Sequence, residues 1–138
     1  MVRILTALFL LGFASLTNAG TALAAEPKHP AIEAVITRQL EAFSRGDRDA
    51  AFAIASPSIQ AMFGDAATFL TMVETGYRTL ARPDRHRFLD LQIVAGRLVQ
   101  RVLVDGRDGA TVVARYEMIE IDGGWRINGC TLEKGEAA

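Results

Sequence analysis

The chain has 138 residues, half of them hydrophobic, with 15 basic against 16 acidic side chains and a net charge of −1. That length builds one ordinary hydrophobic core. The near-neutral balance supplies no surplus of positive charge to grip a phosphate backbone, so nucleic acid is not an expected partner.

In chain order, the first segment reads as an export signal. Arg3 gives a short positive start, Ile4 to Leu16 is almost unbroken apolar sequence, and Ala22-Leu23-Ala24 offers a small-x-small cleavage site ahead of Glu26-Pro27. An apolar run of about thirteen residues falls short of the roughly twenty that span a bilayer. The expectation is therefore a leader over residues 1–25 that is cleaved, a single α+β domain over 26–138, a periplasmic or secreted location, and no membrane attachment after processing. Cys130 is the only cysteine, so no internal disulfide is available. Its apolar strand setting reads as that of a small buried hydrophobe.

Pro30 is placed to open a helix over Ala31 to Ser44, on which Ile32, Val35, Ile36, Gln39, Leu40 and Phe43 share one face. Gly46 ends it and Asp47 caps a short Ala-rich helix reaching Ala55. Ser56-Pro57 starts a further turn or two that stops at Gly64, and Asp65 opens a third stripe through Phe69, Met72, Val73, Gly76, Tyr77 and Leu80. Gly76 inside that stripe implies either close packing or a helix end. Pro83 closes the helical half.

From Arg85 the hydrophobic period becomes two. Leu89, Leu91 and Ile93 alternate with Phe88, Asp90 and Gln92, and Gly96 turns the chain into a strand over Leu98 to Val104. A turn at Asp105 to Gly109 leads to Thr111 to Ile121, with Val112, Ala114, Tyr116 and Met118 on the core face. Asp122-Gly123 signals a hairpin into a last strand, Trp125 to Leu132. Helices first and an antiparallel meander second give an α+β fold, with N-terminal helices packed on a curved antiparallel sheet.

That order resembles the cone-shaped nuclear transport factor 2-like superfamily. Within it, QLEAF at Gln39 to Phe43, FAIASPSIQAMFG at Phe52 to Gly64, MVETGY at Met72 to Tyr77 and GGWRINGC at Gly123 to Cys130 are similar to the bacterial domain of unknown function numbered 4864. The superfamily resemblance implies a helix-sheet cavity that takes small molecules and dimerisation through the outer sheet. The narrower family carries no assigned activity.

Nucleotide-binding, zinc and hydrolase signatures such as GxxxxGK[ST], HExxH, paired CxxC and GxSxG are absent, and neither a cofactor nor a metal is expected. His29 and His86 sit in separate settings. Arg78, Arg82, Arg85 and Arg87 around Pro83 read as a solvated connection. The informative residues are polar groups that periodicity puts on apolar faces, because burying them is costly without a partner. Gln39, Gln100 and Tyr116 are three, and Tyr77 and Trp125 are placed to complete the cavity's mouth or wall. One reading has the two glutamines satisfy each other or backbone groups and fix the register of helix on sheet. The other has all five residues line a site for a neutral ligand carrying a carbonyl or hydroxyl. An enzymatic alternative that the superfamily resemblance implies, an isomerase or dehydratase, would use Asp90 as base and Tyr116 as donor, although regular alternation turns Asp90 to solvent. A third reading is a structural or interaction module in which Phe88, Ile119 and Ile121 on the outer sheet form a homodimer or envelope-protein surface. Non-catalytic binding of a small neutral or apolar ligand, or of an envelope protein, is the expectation taken forward.

Overall fold

In a computed structural model, residues 28–133 are described. The leader, its cleavage site and the C-terminal tail lie outside them.

Among the described residues, five helices precede four strands. The helices are α1 (Pro30–Ser44), α2 (Arg48–Ala53), α3 (Pro57–Phe63), α4 (Ala66–Gly76) and α5 (Arg78–Ala81). The strands β1 (Pro83–Val94), β2 (Arg97–Gly106), β3 (Thr111–Ile121) and β4 (Gly124–Leu132) form one antiparallel sheet in sequence order. The fold is α+β, as the change of hydrophobic period requires.

Each of the longer helices begins where a side chain can satisfy its free amides. Asp47 accepts from Ala50 N at 3.1 Å, Ser56 from Ile59 N at 3.3 Å and Asp65 from Thr68 N at 2.7 Å. For α1 the acceptor is His29 Nδ1, 3.4 Å from Ile32 N, ahead of Pro30 at the first helical position. Gly76 ends α4 and a Cβ there would meet nothing, so it marks a helix end. Gly106 answers to close approach instead. A Cβ on it would lie 2.7 Å from Thr79 Cγ2 and 2.5 Å from Asp108 Oδ1, where α5 docks on the end of β2.

The core lies between the helices and one face of the sheet. Ile32, Val35, Ile36, Leu40 and Phe43 of α1 meet Val102, Val104, Ala114, Tyr116, Met118 and Ile127. The expected core face of β3 is the one observed: Ala114, Tyr116 and Met118 are buried and Val112 packs against them.

The first strand departs from simple alternation. Phe88 pairs with Val102 and Leu91 with Gln100, so Leu89 and Asp90 together face Arg101 as a bulge. The extra residue flips the parity of everything before it. Phe88 therefore packs against the core beside fully buried Val102, which corrects its expected place on the outer side. Ile93, expected in the core, is 77% exposed near the β1–β2 turn. A second register shift, opposite Glu117 and Met118, puts Asn128 into β4 as an irregularity.

Asn128 is used to fasten the helical half. Its Oδ1 accepts from Ser56 Oγ at 2.7 Å while Ser56 N donates to Ile127 O at 2.8 Å and Ile127 N to Ile54 O at 3.2 Å. The stretch between α2 and α3 thus adds a parallel bridge, Ala55 to Ile127, to the exposed edge of β4. Gln60 Nε2 secures the same stretch by donating to the carbonyls of Ala55 and Phe52, at 3.0 and 3.1 Å.

Candidate functional site

Helices α3 and α4 do not close completely on the sheet, and a cavity of about 210 Å³ remains between them. Gln39 and Phe43 of α1 form one wall and Ile59, Met62 and Phe63 of α3 another. Phe69, Met72 and Val73 of α4 and Leu80 of α5 add a third, and Tyr116 and the Ile127 to Cys130 stretch of β4 supply the floor. Met62 lines the space yet is 71% exposed, so the cavity reaches the surface at α3. No residue of α3 is fully buried. The deep side is fixed by aromatic packing: Phe69 sits 6.2 Å from Phe43, 5.4 Å from Phe52 and 5.7 Å from Phe63, centroid to centroid.

The polar groups differ in what they have left to give. Tyr77 donates its hydroxyl to Cys130 O at 2.7 Å, tying the end of α4 to β4, and burial raises its pKa. Tyr116 is completely buried, and its hydroxyl has no partner among the described residues. Burial also drives its pKa well above the ordinary phenol value, so it remains a neutral donor. The Gln39 side chain is also buried and lines the same space. The Cys130 thiol is pushed up to about 12 by burial, which favours its protonated form. Among the described residues, no carboxylate, guanidinium, ammonium or imidazole lines the cavity.

Of the five residues expected at a binding site, the cavity gathers Gln39, Tyr77 and Tyr116. Gln100 is elsewhere. Its Nε2 donates to Leu89 O at 3.0 Å, Asp90 O at 3.4 Å and Arg101 O at 3.0 Å, so the amide satisfies the carbonyls that the β1 bulge frees. Trp125 packs edge-on against His29 with ring centroids 5.0 Å apart, beneath the start of α1. His86 lies at a distance from that pair, its Nε2 3.3 Å from Thr37 Oγ1. Among the described residues no three His, Cys, Asp or Glu side chains are grouped to hold a metal ion.

Asp90 and Tyr116 are not brought together. Arg101, on the face opposite Gln100 and Tyr116, clasps Asp90 Oδ1 through its Nη1, and Gln92 Nε2 donates to Asp90 Oδ2 at 2.6 Å. The hydrogen bond from Arg101 is the main cause that holds the Asp90 carboxyl below the ordinary range. Such a carboxylate is a weak base and faces away from the cavity.

A family model described as Domain of unknown function (DUF4864) matches residues 25–138. The chain belongs to this family. No curated protein matches it. All four stretches that carry the family resemblance contribute to the cavity wall, through Gln39 and Phe43, Ala55 to Phe63, Met72 to Tyr77, and Ile127 to Cys130.

The α3 contribution is not singled out by the sequence. Ile59, Met62 and Phe63 are legible as an apolar face, but that face carries no mark distinguishing a wall from a core. Met72 and Val73 are hidden in the same way within the α4 stripe.

Proposed function

We propose that this domain binds a small, uncharged, mainly apolar molecule in the cavity between α3, α4 and the sheet, without transforming it. The observation that carries this reading is the Tyr116 hydroxyl, buried and unpartnered among the described residues on the floor of an apolar cavity. A buried donor without a partner costs roughly 1–3 kcal/mol. A ligand that meets it removes that cost. Non-catalytic binding is favoured because, among the described residues, Tyr and Cys are the only titratable groups lining the space and both are held neutral. Asp90, the candidate base, is committed to Arg101.

The helix-over-sheet arrangement suits a member of the nuclear transport factor 2-like superfamily, and the cavity occupies the place that resemblance implies. The leader-like start suits a periplasmic or secreted carrier or sensor. Ile119, 38% exposed, supports an outer-face partner surface less strongly, since Phe88 is turned to the inside.

The test is native mass spectrometry of the full gene product purified from its own host, beside a denatured sample, with benzene-dependent thermal melting of the same material. A small adduct lost on denaturation, or a rise in Tm with benzene, is expected, because apolar cavities of about 150 Å³ accept benzene. A clean protein mass together with a Tm indifferent to benzene would overturn the reading. The same spectra report whether the leader has been removed.

A further inference from the structure

A cavity that binds a ligand, as proposed above, also restricts which ligand it takes, and the inference drawn from that restriction rests on the binding reading. A space of about 210 Å³, scaled from the cavity of about 150 Å³ that holds benzene, takes a ligand of about eight to ten non-hydrogen atoms. Charge is excluded by the lining. The described lining residues offer neither acid nor base to pair an ion, and an isolated ionised group in such surroundings is strongly disfavoured.

The polar requirement is narrower still. Tyr77 has spent its proton on Cys130 O. That leaves the Tyr116 hydroxyl, whose proton is retained because burial opposes its ionisation. An orphaned buried donor is less tolerable than a carbonyl with a spare lone pair. The missing partner is thus an acceptor oxygen, and the Gln39 amide, which lines the same space, adds further N–H donors rather than a charge. An acceptor that brings no donor of its own creates no new orphan.

We infer that the ligand is a carbonyl compound, a ketone or ester of about eight to ten non-hydrogen atoms, whose oxygen is bound by the Tyr116 hydroxyl while its alkyl or aryl body lies among Phe43, Phe63, Phe69 and Met72. Recognition is by hydrogen bond alone and no covalent step is involved.

The experiment measures binding of 2-octanone, 1-octanol, nonane and octanoate to the full processed chain and to its Tyr116→Phe variant. Tyr116→Phe is expected to weaken 2-octanone about tenfold and to leave nonane within about twofold, one hydrogen bond to an otherwise unsatisfied donor being worth that much. Octanoate is expected not to bind. An infrared spectrum of bound 2-octanone supplies a reading on the unsubstituted protein: its carbonyl stretch should fall below the value in hexane. If nonane binds but the ketone is indifferent to Tyr116→Phe and its stretch is unshifted, the carbonyl inference fails and the cavity reading survives. Tighter binding of 1-octanol than of 2-octanone to the unsubstituted chain would also overturn it. If none of the four binds, both readings fail.

Discussion

Gln100 and Tyr116 lie opposite one another across β2 and β3, and so do their chain neighbours Arg101 and Arg115 on the reverse face. The two faces treat polar groups differently. Outside, Arg101 Nε reaches Glu133 Oε1 at 2.7 Å, a second nitrogen holds Asp90, and Arg115 Nη1 shares Glu133 at 3.3 Å. Two arginines and two carboxylates thus neutralise each other in a half-exposed network. Inside, the Gln100 amide nitrogen is employed by the carbonyls around the bulge, while the hydroxyl of Tyr116, its neighbour across the strand pair, is employed by none of the described residues. The contrast teaches that a polar residue on an apolar face is not by itself a site. Partnership separates the scaffold glutamine from the tyrosine whose hydroxyl is left without one among the described residues.

The strongest way to break the inner face is through its aromatic centre. Phe69→Ala removes a buried ring that touches three others, and a loss of about 3–5 kcal/mol in chemical denaturation is expected. Gln100→Leu comes next. It leaves the Leu89 and Asp90 carbonyls without their donor, and a loss of about 2–3 kcal/mol is expected, with hydrogen exchange accelerating in β1 around the bulge. If Gln100→Leu were neutral or stabilising, the scaffold role assigned to this amide would be wrong.

Tyr116→Phe sharpens the same comparison with the opposite sign. Deleting a hydroxyl that has no partner, with no change of ring volume, is expected to raise the stability of the ligand-free protein by about 1 kcal/mol. Side by side in one denaturation series, the two substitutions across a single strand pair should move in opposite directions.

Much of this is legible in the sequence, and the boundary is physical. Caps such as Asp47, Ser56 and Asp65 depend on residues three positions away, so local reading finds them. The core face of β3 is legible because Ala114, Tyr116 and Met118 alternate with Arg115 and Glu117, which fixes which side chains share a face. The β1 bulge is not, since one inserted residue leaves no compositional trace while inverting Phe88. The misplacement of Gln100 follows from that failure: its partners are carbonyls freed by an irregularity that alternation cannot show. Gln39 and Tyr116 are found because polar groups stand out on apolar stripes, whereas Met62 and Phe63 do not. Whether a helix face seals against its neighbours or leaves a gap depends on how the α2–α3 stretch is hung from β4 by Ser56 and Asn128, a contact between residues 72 positions apart.

The outer network yields the smallest effect and a different signature. Hydrogen bonds from Arg101 lower the pKa of both Asp90 and Glu133 in the folded protein. A carboxyl whose folded pKa is depressed contributes its full stability above its unfolded value, near 4, and loses it as pH falls through the folded value. The network should therefore matter at neutral pH and fade only below about pH 4. Because Asp90, Glu133 and Arg101 are partly open to solvent, the contribution is small, at most about 1 kcal/mol. Arg101→Met is expected to flatten the acid limb of Tm against pH and to remove its sensitivity to salt. It should leave 2-octanone affinity unchanged, because Arg101 lies on the side of the sheet that the cavity does not touch. An unaltered acid limb in Arg101→Met would mean that the two carboxylates owe their acidity to something other than this arginine. A fall in ketone affinity would mean that the two faces are coupled through the β1 bulge, which Gln100 holds from inside and Arg101 from outside.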